Sequence, residues 1–297
     1  MLKCSLLAFF AASSCLFAAD PSFAEEELKK VVADVENNDW YSAQNRSLAL
    51  IQSQENTSPV HEAYYYLGIS YYHIRDFEFA NDYLTKYLET ASAASHFEDA
   101  LLYKFAVAEE FRLGQKKRIF KWQKAPNFLS AMEDALEIYD QIIATLPFSE
   151  LAASSFYGKA KVHTYFEEYK EAIRAYHTLT QKFSKHELAI EGYVEMAKIY
   201  LAQCVQEHLD PDVLENAETN SRKFAAAFPG EERICEVNAL LGKVKEAFAK
   251  NLYETGRFYE RTYKPSAAAI YYRKALMKFP KTESAKKCKS RLASIQS

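Results

Sequence analysis

The sequence predicts an all-α protein in which helical hairpins stack side by side, and three observations lead there. Glycine and proline are scarce, 7 and 8 among 297 residues, while tyrosine and phenylalanine number 21 and 20. Few turn formers and many large side chains favour long packed helices over a sandwich or barrel. A small-residue marker then returns six times along the chain, and in three of the six a proline follows it at a fixed distance.

The six markers are Ala43, Ala80, Ala135, Ala172, Ala217 and Ala268, separated by 37, 55, 37, 45 and 51 residues. Four residues beyond each stand Ser47, Leu84, Tyr139, Tyr176, Ser221 and Tyr272. Twelve beyond, Pro147, Pro229 and Pro280 end three of the helices. The last unit is the fullest, with Leu252, Gly256 and Tyr259 on one helix and Ala268, Tyr272 and Ala275 on the next. Tyr64, Leu67, Gly68 and Tyr71, followed by Ala80 and Leu84, repeat the arrangement. These units resemble the tetratricopeptide repeat, whose period is usually about 34 residues. Small residues let two antiparallel helices approach closely, and aromatic residues fill the groove to the next pair. One pair cannot bury its own face, so the pairs must stack. The expectation is a right-handed solenoid of about six hairpins, closed by a basic capping helix over 284–295.

The longer intervals locate the interruptions. The interval of 55 residues carries an insertion at 112–130, between the two helices of one unit. It holds Arg112, Lys116, Lys117, Arg118, Lys121 and Lys124, interleaved with Ile119, Phe120, Trp122 and Phe128. Lys116, Lys117, Arg118, Phe120, Lys121 and Trp122 form a candidate contact for a partner or an anionic membrane. A solvated loop folding its aromatic residues back is the competing reading. Asp210-Pro211-Asp212 marks a turn and helix start. The stretch from Glu231 to Phe258 holds no breaker and reads as one lengthened helix.

Residues 1–24 read as an export signal and 25–297 as the repeat region. Lys3 precedes an apolar run from Ser5 to Ala19, and Ser22-Phe23-Ala24 is a small-x-small cleavage site. Cys15, after Ala12-Ser13-Ser14, is similar to a lipobox cysteine and is the candidate lipid anchor. Cleavage before Cys15 and cleavage after Ala24 both stay open. Cys204, Cys235 and Cys288 are widely spaced and show no zinc-binding pattern.

No phosphate loop, nucleophile elbow or His-Glu-x-x-His motif occurs, and no catalytic, cofactor or metal site is expected. The net charge of −3 gives no general attraction to nucleic acid. Binding is expected on the first helix of each hairpin, along an inner wall formed by Tyr65, Tyr72, His73, Tyr157, Lys161, Lys198, Tyr253 and Arg257. Tyrosines with lysine and arginine suit an extended peptide bearing aromatic side chains and a terminal carboxylate.

Two stretches carry a closer likeness: Leu102 to Pro147, ending ALEIYDQIIATLP (135–147), and Leu240 to Thr282, with LYETGRFY (252–259) and AAIYYRKALMKFP (268–280). With the signal, the interrupted unit and the lengthened helix, the chain resembles the BamD lipoproteins of outer-membrane β-barrel assembly. That resemblance implies a non-catalytic scaffold at the periplasmic face of the outer membrane. Its partners would be the barrel insertase, other assembly subunits and C-terminal segments of unfolded barrel proteins. The alternative is a soluble periplasmic repeat adaptor coordinating cell division or envelope constriction.

Overall fold

A computed structural model describes residues 21–53, 57–90, 95–118, 127–204 and 209–296. The chain divides into two compact units: residues through Val107 with Lys117–Pro126, and Ala108–Lys116 with Asn127–Ser297. The first holds α1 (Pro21–Glu36), α2 (Trp40–Ser53), α3 (Ser58–His73), α4 (Phe77–Thr90) and most of α5 (Phe97–Arg112). The second holds the end of α5, then α6 (Met132–Thr145), α7 (Glu150–Tyr165), α8 (Tyr169–Lys182) and α9 (Glu187–Gln203). It continues through α10 (Pro211–Ala227), α11 (Ile234–Arg261), α12 (Pro265–Lys278) and α13 (Glu283–Gln296).

Every marker alanine falls on the second helix of a pair. Ala43, Ala80, Ala135, Ala172 and Ala268 are wholly buried and Ala217 nearly so. The residues four positions on are buried too, including the rings of Tyr139, Tyr176 and Tyr272. The crossings are as close as small residues demand. A methyl at Gly68 would lie 2.7 Å from Leu84 Cγ, and one at Gly158 2.5 Å from Tyr139 Cζ. Gly158 therefore faces the second helix of the preceding hairpin, α6, and not its own α8. Pro147, Pro229 and Pro280 each stand two residues past a helix end, where a missing N–H costs nothing.

The turns inside the hairpins share one solution. Asn38, Arg75, Glu167 and Tyr263 adopt φ of 58–67°, and Gly114 does the same job after α5 at 100°. In each, the next residue donates its N–H five positions back, as Asp39 does to Asp34 and Glu168 to His163. This is the Schellman closure, usually a glycine's place, because a side chain in the left-handed region is strained. Here asparagine, arginine, glutamate and tyrosine occupy it, so glycine spacing did not reveal these turns.

The expected lengthened helix is α11, 28 residues long. Asp210 caps α10, its carboxylate accepting the Asp212 N–H at 3.0 Å. The capping helix is α13, whose first turn is held by Glu246 of α11. That carboxylate accepts the N–H groups of Glu283 at 2.8 Å and Ser284 at 3.0 Å, a favourable place for negative charge. The insertion differs from a plain loop, for it contains two short strands, β1 (Lys116–Arg118) and β2 (Asn127–Ser130). Neither has an apolar alternation long enough to be read from sequence. At the other end α1 begins at Pro21, inside the segment read as signal. Ala24, the residue before one cleavage site, is wholly buried in a cluster with Leu50, Val60 and Ala63.

Candidate functional site

In the first unit, α3 carries three of the wall residues, and they have different fates. Tyr65 is 6% exposed, stacked 4.4 Å from the His96 ring and 5.4 Å from Tyr87. Burial drives its phenol well above the usual tyrosine range. It is a packing residue. Tyr72 and His73 lie at the helix end and remain accessible in part. His73 stacks on Trp40 with ring centres 3.8 Å apart, and Tyr72 meets Tyr103 edge to face at 5.3 Å. Burial lowers the His73 pKa, so this surface is neutral and aromatic near pH 7. Trp40 and Tyr103 were missed because each sits outside the aligned repeat positions.

In the second unit, Lys161 on α7 and Lys198 on α9 do come together, but on a carboxylate. Lys161 Nζ lies 3.3 Å from Glu195 Oε2, and Lys198 Nζ 2.9 Å from Oε1. Lys198 is also 3.8 Å from Glu236, while Arg233 pairs with both Glu191 and Glu236. Glu195 is 9% exposed; burial pushes its carboxyl up, yet the two ammonium groups outweigh this and hold it below the usual range. Tyr157 lies beneath Lys161, ring centre 5.6 Å from Nζ. The three cations are thus matched by three carboxylates, and the expected basic wall is a balanced ion-pair lattice here. Glu191, Glu195 and Lys198 fall at i, i+4 and i+7 on α9, a signal that aligning cations alone passes over.

Tyr253 and Arg257 lie further along, on α11. Tyr253 packs 6.1 Å from the Tyr272 ring. Arg257 is 3.8 Å from Glu260, which also accepts Tyr272 Oη at 2.7 Å and Arg291 at 2.8 Å. A cleft of about 590 Å³ opens there, lined by Arg257, Glu260, Arg261, Tyr263, Arg291 and Ile295. Of the candidate loop residues, Lys116 is exposed and Lys117 partly so. Arg118 is not free: its guanidinium meets Asp76 at 2.5 Å and its N–H reaches Glu78 at 3.3 Å. Phe120, Lys121, Trp122 and Cys15 lie outside the described residues. Among the described residues no group of three His, Cys, Asp or Glu side chains gathers to hold a metal. None of the described helices is long and apolar enough to cross a membrane.

Residues 114–296 match the family model described as YfiO, outer membrane lipoprotein. The chain belongs to this family. The match begins beside β1 and runs through α13, so it takes in the whole of α6–α13. None of the curated proteins matches the chain. Among solved structures it is similar to a tetratricopeptide repeat protein from Parabacteroides merdae. The two are 13% identical, over 93% of this chain and all of that one, with a TM-score of 0.41. MamA from Desulfovibrio magneticus is 14% identical over 72% of this chain and 99% of its own, with a TM-score of 0.41. Membership of the YfiO family and the stacked hairpins make the chain a protein-interaction scaffold.

Proposed function

We propose that this protein is a non-catalytic scaffold of outer-membrane β-barrel assembly, lipidated at Cys15 and facing the periplasm. It binds the barrel insertase and C-terminal segments of unfolded barrel proteins. The observation that carries this reading is the outer membrane lipoprotein match over 114–296, laid on a stack of helical hairpins.

Two features of the structure support parts of it. Ala24 fills the space between α1, α2 and α3, so cleavage after it would cut the first turn of α1 and empty that site. Cleavage before Cys15 leaves the helix whole. For the client, the neutral ring surface of Trp40, Tyr72, His73 and Tyr103 suits aromatic side chains of an extended segment. The Lys161 and Lys198 ammonium groups pair a client carboxylate only by exchange with Glu195.

Affinity purification of the tagged protein from detergent-solubilised envelopes tests the reading. The insertase should be recovered in stoichiometric amount. Recovery of division or wall-synthesis proteins without it would replace this function with that of an envelope-constriction adaptor.

A further inference from the structure

The end of the chain concentrates positive charge, and part of it makes no ion pair among the described residues. Residues 257–297 hold eleven lysines and arginines against two glutamates, in a chain whose net charge is −3. Beyond its first turn, the exposed residues of α12 form one stripe. Ile270, Lys274 and Met277 stand at i, i+4 and i+7 on a shared face, with Arg273 and Lys278 on its two sides. Ile270 is 62% exposed and Met277 76%, while Ala268, Tyr272 and Ala275 bury the opposite face. Arg273, Lys274 and Lys278 make no ion pair among the described residues. Lys274 and Lys278 border a groove containing Glu215 and Glu218, yet neither carboxylate comes within ion-pair distance of them.

An apolar centre rimmed by unpaired cations is the surface a helix presents when it lies on an anionic bilayer. The apolar side chains enter the headgroup boundary and the long basic ones reach the phosphates. An acidic protein with apolar side chains would meet the same stripe; a bilayer is favoured because the family is one of outer membrane lipoproteins, which work beside a phospholipid surface.

We propose that the outer face of α12 binds the surface of an anionic phospholipid bilayer, as a second membrane contact separate from the lipid on Cys15. The test is vesicle flotation with the chain from residue 15 onward carrying Cys15→Ser, which removes most of the apolar signal run and the acylation from every arm. Vesicles are equal parts phosphatidylglycerol and phosphatidylcholine, or phosphatidylcholine alone. Binding to the anionic vesicles should be at least tenfold stronger than to the neutral ones, and should fall as salt rises.

Combining Arg273→Glu, Lys274→Glu and Lys278→Glu should lower anionic-vesicle binding about 100-fold, at about fivefold per basic residue near such a surface. Ile270→Ser with Met277→Ser should lower it about tenfold without changing the salt dependence. All five positions are exposed, and matching thermal melts establish that the fold is intact. Equal binding to both vesicle types, or undiminished binding by the triple variant, overturns the proposal. So does a wild-type chain that ignores vesicles while the triple variant loses an acidic protein partner, which would assign the surface to that protein. Failure of the assembly function would leave the vesicle result standing, and the reverse holds too.

Discussion

Gly256→Ala tests whether the close helix crossings hold the repeats together. Alanine in a helix interior is ordinarily favoured over glycine by about 1 kcal/mol. At this position on α11, however, the new methyl would lie 2.8 Å from Tyr272 Cδ1 and 2.9 Å from Cζ, and closer still to Cε1. Tyr272 is wholly buried, backed by Tyr253, and its hydroxyl donates to Glu260 at 2.7 Å. Glu260 in turn anchors Arg291 of α13 at 2.8 Å, so the ring cannot swing away without loosening the cap. Overpacking of this kind costs about 1–3 kcal/mol, and the upper end applies where the neighbour is pinned. The net expectation is a loss of about 2 kcal/mol. Gly242, on the same helix, meets nothing within 4 Å, and Gly242→Ala should gain about 1 kcal/mol. Because repeats need not unfold together, urea melts should be joined by hydrogen exchange over α12 and α13. Exchange should quicken there in Gly256→Ala alone. Equal stability of the two variants would refute the close-crossing argument.

Three further outcomes follow from the geometry. Glu167→Gly relieves a left-handed side chain in an exposed turn and should raise the urea midpoint by the equivalent of about 1 kcal/mol. Glu195→Gln should cost about 1 kcal/mol at pH 7, since its lysine partners are partly exposed and can return to water. The Glu195 carboxyl sits below its ordinary 4.5 in the folded protein, so its stabilisation is present above pH 4.5 and lost as pH falls through the lowered value. Melts of wild type and Glu195→Gln should therefore converge in acid, and a constant gap would exclude the ion pairs as the cause. Mass spectrometry of the mature protein should find an acylated N-terminus at Cys15, and a chain beginning at Glu25 would contradict the role given to Ala24.

The architecture was readable because packing at a close crossing admits few residue types. Ala268, Tyr272 and Pro280 must be small, large and helix-ending for geometric reasons, so their spacing survives in the sequence wherever a hairpin forms. The turns were not readable in the same way. Arg75, Glu167 and Tyr263 accept a left-handed conformation that the Schellman hydrogen bonds impose on them, and no residue type there announces it. Tyr65 shows a third case. Its helical register places it beside a wall, but the His96 ring before α5 covers it.

Charge divides along the same line. Register placed Lys161, Lys198 and Arg257 on one surface, yet a cation is available to a partner only if no carboxylate reaches it first. Glu195 meets Lys198 three residues along its own helix and Lys161 of α7, so half of the neutralisation is legible in the spacing on α9 and the other half arises only from the packing of α7 against α9. Over residues 257–297 the situation is reversed. The two local glutamates are taken up by Arg257, Arg291 and Lys286, and Glu215 and Glu218, which share a groove with Lys274 and Lys278, make no ion pair with them among the described residues. Composition therefore points to an excess of positive charge at the end of the chain, and the ion-pair geometry identifies which of those cations stay unpaired. On α12 the unpaired cations Arg273, Lys274 and Lys278 stand together among the described residues, whereas Lys161 is held by Glu195, which is why vesicle binding by α12 is the sharper experiment than charge reversal at Lys161.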